Sequence, residues 1–330
     1  MAGLPTVKVM VLGGTITMAP GKEEGISPSL SGADLLREIP QLGQVANVEV
    51  HTPFLKPSAS LELAELAQLI QGKSDKGKPN HAGMVIVQGT DTIDETSFFI
   101  DLLYDKEAPI VITGAMRGAT ALSADGPANL FAAVSTAASD AARGLGCLVV
   151  LNDEIHAAHA VEKMHKGLVS AFESPDGGPL GYFLENAVRM IRRPCARLRQ
   201  ALHPSRFPDV AIVKIGLGST ISMFDAVTRL GYEGVIVEGM GAGHVPERFA
   251  ADIEKLSKTM PVVLASRVIG GSVYKNTYGF PGSEIDLIRR GVIPAEWLSP
   301  HKARLLLSVS LGAGLARDEI RQAFAAYGQP

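Results

Sequence analysis

The chain has 330 residues, more than one ordinary hydrophobic core accommodates, and two domains are expected. Apolar residues make up 46% and charged residues 20%, a globular balance, and the net charge of −3 without a dense basic cluster argues against a nucleic-acid partner. No run approaches the ~18 apolar residues of a membrane span, and the opening M-A-G-L-P-T-V-K-V lacks the features of a signal peptide, so a soluble cytoplasmic protein is expected.

Short apolar runs alternate with helical patterns. Strands are predicted at Val7–Leu12, Val48–His51, Met84–Gln88, Ile110–Thr113 and Cys147–Leu151, with helices at Ser31–Ile39, Leu61–Gln71, Ile93–Tyr104 and Ala128–Ala142. Apolar strands joined by helical crossovers predict a parallel sheet covered on both faces. Such sheets bind ligands outside the carboxyl ends of their strands. Arg192 to Phe207 lacks a clear period, carries Pro194 and Pro204, and reads as a linker. The most basic stretch, Arg189 to Arg199, reads as solvated linker rather than a polyanion site. A second α/β unit follows, with strands at Val210–Ile215, Gly234–Val237 and Pro261–Ala265. Cys147 and Cys195 form neither a disulfide framework nor a metal cluster, and no metal or cofactor is expected.

Two strand ends carry one chemical pattern. The first predicted strand ends in L-G-G-T-I-T, with Gly13, Gly14 and Thr15, and the third in Q-G-T-D-T, with Gly89, Thr90 and Asp91. Thr and Asp before a helix also suit an N-cap for the helix starting near Ile93. A glycine at each end allows a sharp turn and close approach, and each end presents a hydroxyl at the mouth of the sheet. A threonine nucleophile needs a base, because its hydroxyl is hardly ionised at neutral pH. A neutral lysine oriented by Asp91 would serve, and spacing leaves Lys163 and Lys166 both open. G-x-G-x-x-G is absent from the first strand end, and Gly216 and Gly218 form only part of a later one, which weighs against a nicotinamide-dependent dehydrogenase.

G-G-T-I at Gly13, G-T-D-T at Gly89, G-A-M-R at Gly114, S-A-D-G-P-A-N-L at Ser123 and G-P-L-G-Y at Gly178 occur in order, followed by S-R-V at Ser266 and H-K-A-R at His301. In this the chain resembles the bacterial-type L-asparaginases over nearly its whole length. The expected fold class is α/β in two domains. A larger N-terminal, flavodoxin-like parallel sheet spans residues 1–191, a linker 192–209, and a smaller C-terminal Rossmann-like domain 210–330.

The resemblance implies an amidohydrolase converting asparagine to aspartate and ammonia. It makes Thr15 the nucleophile and Thr90 a second threonine linked to Lys163 and Asp91. Ala115 matches a residue whose backbone carbonyl faces the leaving amide, with Gly89 in the substrate site. Ser58 matches the ligand of the substrate α-carboxylate. Asp91 and Glu284 would face its α-amino group, Glu284 reaching in from a neighbouring subunit. A homo-oligomer follows, a dimer or a dimer of dimers (homotetramer).

The chain departs from the family at two places. Ile26 stands where many members have a loop tyrosine, and it cannot move a proton. Glu23 and Glu24 are the candidate replacements on that loop, which is expected to act as a mobile lid. Ala59 stands where one branch has glutamine, with Ser60 nearby to compensate, which leaves a broad glutaminase-asparaginase as the alternative. Loss of the tyrosine also raises a weakly active amino-acid-binding homologue. An amidotransferase subunit is disfavoured, because relatives of that kind usually carry an extra N-terminal domain.

Overall fold

The structure is a computed structural model that describes residues 3–20, 26–28, 32–71, 81–193, 201–219 and 222–329. The chain divides into two compact units, residues 1–197 and 198–330.

In the first unit, strand β1 is Thr6–Val11. A hairpin follows, of β2 (Met18–Pro20) and β3 (Ile26–Pro28), then helices α1 (Gly32–Arg37) and α2 (Leu42–Val45) and strand β4 (Asn47–His51). Next come α3 (Leu63–Gln71), β5 (Gly83–Val87), α4 (Ile93–Leu103), β6 (Ile110–Thr113), α5 (Gly126–Ala138) and β7 (Cys147–Leu151). Short strands close the unit: β8 (Glu154–Ala157), β9 (Glu162–Lys163), β10 (Phe172–Glu173), β11 (Gly181–Leu184) and β12 (Ala187–Met190).

The main sheet has the order β12-β11-β8-β7-β6-β5-β1-β4. From β4 to β7 neighbouring strands are parallel, and this part has the 2-1-3-4-5 order of flavodoxin-like sheets. From β7 to β12 the pairings are antiparallel, so the sheet is mixed where a parallel one was expected. The antiparallel extension turns at Asn152–Asp153 and Glu185–Asn186, all four residues at φ of 50° to 62°. Two-residue turns of this hand match the twist of the strands they join, and Asn and Asp tolerate them best.

The apolar runs are continuous because both faces of the sheet are covered. Val9, Val87 and Val111 pack with Leu130, Ala133 and Val134 of α5 in one core cluster. The alternate positions Met10, Ile86 and Ile112 point to the opposite face and are equally buried. Helix α4 lies against β6 and β7 and buries Phe98, Phe99, Ile100 and Leu102 completely. Each such side chain contributes about 1.5–3 kcal/mol, so the strand ends sit on a stiff frame.

The second unit holds β13 (Val210–Lys214), α6 (Ser222–Arg229), β14 (Gly234–Gly239), α7 (Ala250–Thr259), β15 (Val262–Ser266), α8 (Glu284–Arg289), β16 (Ile293–Pro294), α9 (Pro300–Gly312) and α10 (Arg317–Tyr327). Its sheet is parallel, in the order β13-β14-β15-β16. Val227, Ile253 and Leu287 from α6, α7 and α8 share one core with Val237 and Leu264. Helix α9 lies along β13 and β14 and buries Leu305, Leu306 and Leu307. No helix among the described residues is long and apolar enough to cross a membrane.

Candidate active site

Strand order reverses between β1 and β5, and their carboxyl ends are where a sheet of this order receives a ligand. Thr15 follows β1 and Thr90 follows β5, each opening a 3-10 turn, Thr15–Thr17 and Thr90–Thr92. The two ends touch. Gly14 has φ 93°, and a Cβ there would lie 2.2 Å from the amide nitrogen of Gly89. Only glycine permits that conformation and that approach. Thr17 Oγ1 donates to the Gly14 carbonyl at 2.8 Å and braces the turn under the half-buried Thr15.

Thr90 is buried, 7% exposed. Its Oγ1 accepts a hydrogen bond from Lys163 Nζ at 3.0 Å, and Asp91 Oδ1 accepts from the same nitrogen at 2.9 Å. The Lys163 side chain is 15% exposed and that of Asp91 73%. The lysine is therefore largely withdrawn from water, while its carboxylate partner faces solvent. An ion pair so placed orients more than it stabilises. Lys166 is exposed in the loop between β9 and β10, so the contact singles out Lys163.

Sequence reasoning missed what holds Lys163. Its backbone N–H donates to Asp94 Oδ2 at 3.1 Å, and Lys163 pairs with Phe172 across the β9–β10 hairpin. Asp94 reads from sequence as an ordinary first-turn carboxylate, and its burial was the missing signal. The expected cap is corrected as well. The N-cap of α4 is Thr92, without a side-chain cap hydrogen bond, and the Asp91 carboxylate turns to the lysine instead.

Ser58 opens a 3-10 turn, Ser58–Ser60, and is 3% exposed. Its Oγ has no hydrogen-bond partner among the described residues and lies 2.8 Å from where a Cβ on Gly89 would be. Buried hydroxyls are rarely left unpaired, and this one adjoins the two threonine turns. Ala59 and Ser60 beside it are exposed. The Gln88 side chain, also missed, is buried and donates through Nε2 to Thr92 and Thr96, tying the turn to α4. Ala115 is fully buried at the end of β6, one residue after Gly114, where a Cβ would come within 3.3 Å of Thr90 Cγ2.

After Thr15, Met18–Pro20 and Ile26–Pro28 pair as antiparallel strands, with Ile26 opposite Pro20. Glu23 and Glu24 lie outside the described residues. Thr15, Ser58, Ala59, Gly89, Thr90, Asp91, Ala115 and Lys163 all belong to the first unit.

Glu284 belongs to the second unit and is fully buried at the start of α8. Its Oε1 accepts from the backbone N–H groups of Thr277 and Tyr278 at 2.9 and 2.6 Å, and His244 Nε2 lies 3.3 Å from Oε2. Burial pushes this carboxyl up, but the N–H groups of Tyr278 and Thr277, its own backbone N–H and His244 together outweigh it and hold the group below the usual carboxylate range. The resulting stability is present above the unfolded-chain value of about 4.3 and is lost as pH falls through the lower folded value. Glu284→Gln is therefore expected to melt below wild type at neutral pH, with the gap closing as pH drops under about 4. Thermal melts that show a constant gap across pH would contradict this.

Two family models match nearly the whole chain, Asparaginase, N-terminal, over residues 6–196, and Glutaminase/Asparaginase C-terminal domain, over residues 209–324. L-asparaginase 2-1 of Saccharomyces cerevisiae is 33% identical, over 98% of this chain and 90% of that protein. A glutaminase-asparaginase of Pseudomonas aeruginosa is also 33% identical, over 98% and 91%. The crystal structure of a probable cytoplasmic L-asparaginase from Campylobacter jejuni superimposes with a TM-score of 0.85 at 30% identity, covering 97% of this chain and 99% of that one. With both domain models matched in order and relatives aligned from end to end, the chain belongs to the asparaginase family.

Proposed function

We propose that the protein hydrolyses the side-chain amide of L-asparagine to L-aspartate and ammonia, with Thr15 as nucleophile and Thr90, Asp91 and Lys163 handling its proton. One observation carries this reading. The Lys163 nitrogen is shared between Thr90 Oγ1 and Asp91 Oδ1, on the strand end that touches the glycine before Thr15. In the proposed step Thr15 Oγ attacks the carboxamide carbon, and its proton passes through the Thr90 hydroxyl to neutral Lys163. Backbone N–H groups of the strand ends receive the oxyanion. The C–N bond breaks, the nitrogen takes the proton and leaves as ammonia, and water then cleaves the acyl ester to restore Thr15. Ser58, whose buried hydroxyl has no partner among the described residues, suits the substrate α-carboxylate. Gly89 forms the wall beside it, and the Ala115 carbonyl receives the leaving amide. Ile26 carries no proton, so the chemistry falls to Thr90, Asp91 and Lys163.

Ammonia release from asparagine and glutamine, measured side by side on the purified protein, tests the reading. No release from asparagine would end it. A second reading, a broad glutaminase-asparaginase, is favoured by Ala59, which offers no polar side chain to sense an added methylene. One methylene is worth only about 1–3 kcal/mol of discrimination. Comparable rates on both amides would select it.

The same reading makes the working form at least a closed two-fold dimer, with Glu284 of the partner subunit facing the α-amino group. Its support within this chain is the exposed apolar surface in the segment before Glu284, formed by Val268, Ile269, Tyr274, Tyr278 and Phe280. Sedimentation at assay concentration is expected to show no active monomer. An active monomer would remove the dimer requirement and the role given to Glu284. A cytoplasmic location is part of the proposal, supported by the likeness to the Campylobacter jejuni protein.

A further inference from the structure

The run S-A-D-G-P-A-N-L has no task in the chemistry above, yet two of its side chains grip the turn that carries Ala115. Asp125 precedes α5 and Asn129 lies in its first turn. Asn129 is 3% exposed, and its Nδ2 donates to the Gly114 carbonyl at 3.0 Å. The carboxylate of Asp125 accepts from the N–H of Met116 through Oδ2 and from that of Arg117 through Oδ1, each at 2.9 Å. The two side chains also meet, Asn129 Nδ2 donating to Asp125 Oδ2 at 3.1 Å, and Asn129 Oδ1 accepts from the N–H of Asn152 at 2.9 Å.

These bonds engage the backbone on both sides of the Ala115 carbonyl. Asp125 is the N-cap residue of α5 but makes no side-chain cap hydrogen bond, so its carboxylate is committed to the turn instead. Hydrogen bonds to an ionised acceptor are among the stronger ones, and two parallel ones fix an orientation as well as a distance. The same helix start backs the nucleophile's turn. A Cβ on Gly126 would lie 2.7 Å from Ile16 Cγ1, next to Thr15, and 3.4 Å from the Ala115 Cβ.

We infer that Asp125 and Asn129 are positioning residues for amide hydrolysis, holding the Gly114–Arg117 turn so that the Ala115 carbonyl accepts a hydrogen bond from the leaving carboxamide nitrogen. This rests on the proposed asparagine hydrolysis with Ala115 beside the leaving group. The chemistry gives the pair a selective signature. A carboxamide nitrogen carries N–H donors for that carbonyl, whereas the alkoxy oxygen of an ester carries none. Loosening the turn therefore slows amide cleavage more than ester cleavage at the same acyl group.

The test compares wild type, Asp125→Asn and Asn129→Ala on L-asparagine and on L-aspartate β-methyl ester, with thermal melting to confirm folding. Turnover of asparagine is expected to fall about tenfold with KM little changed, and that of the ester by less than about threefold, as for one hydrogen bond strengthened in the transition state. Equal losses on both substrates overturn the inference, as does no loss on either. If one variant does not fold, the other decides. Failure of both to fold also overturns it, since the network would then serve stability alone. Absence of ammonia release by wild type would instead overturn the underlying reading, which keeps the two failures apart.

Discussion

Thr15→Ala and Thr90→Val are each expected to lower turnover at least ~10²-fold while the fold persists, the usual scale for losing a nucleophile or a proton-carrying hydroxyl. The two changes differ in kind. Thr15 is half-buried on a turn held by Gly14 and Thr17, and truncating it removes the attacking oxygen without disturbing the core. Thr90 is buried with its methyl close to Gly114, and valine keeps that shape while deleting the acceptor for Lys163. Thr90→Val therefore removes one hydrogen-bond partner of the Lys163 nitrogen, at about 1–3 kcal/mol, which melting would register separately from turnover. Steady-state ammonia release reads the main effect. Near-normal turnover in either variant would remove the role given to that threonine.

Lys163→Met is expected to abolish activity, and Lys166→Met to leave most of it. The two residues lie three apart in one short segment, but only Lys163 has its nitrogen between Thr90 and Asp91. Methionine matches the length of the aliphatic stem and carries no charge, so the substitution removes the amine with little change in packing. The backbone hydrogen bond from Lys163 to Asp94 does not depend on the side chain and should survive. The expected loss is thus catalytic, seen as a fall in kcat with the thermal transition nearly in place. The reverse pattern, with Lys166 essential and Lys163 dispensable, would place the base elsewhere.

By itself the sequence determined the five parallel strands, most of the helices between them and the two glycine-threonine strand ends. Those signals are local. A strand covered on both faces must be apolar at every position, as in V-I-V before Gln88, and a turn pressed against a neighbouring backbone must be glycine. The antiparallel extension of β8, β11 and β12 escaped because its strands span only four residues each and its turns, Asn152–Asp153 and Glu185–Asn186, were not read as hairpins. Spacing left Lys163 and Lys166 both open and the resemblance pointed to Lys163; the tertiary structure brings that lysine to Thr90, a contact that joins residues 73 apart in the chain through the β9–β10 hairpin. It likewise decided that Asp94 and Asp125, which as isolated residues read as helix-start carboxylates, grip backbone N–H groups at Lys163 and at Met116 and Arg117. The physical reason is common to all of these. Hydropathy and turn chemistry record what each residue needs from its immediate surroundings. Which buried carboxylate or amine meets which distant group depends on the order in which the strands assemble.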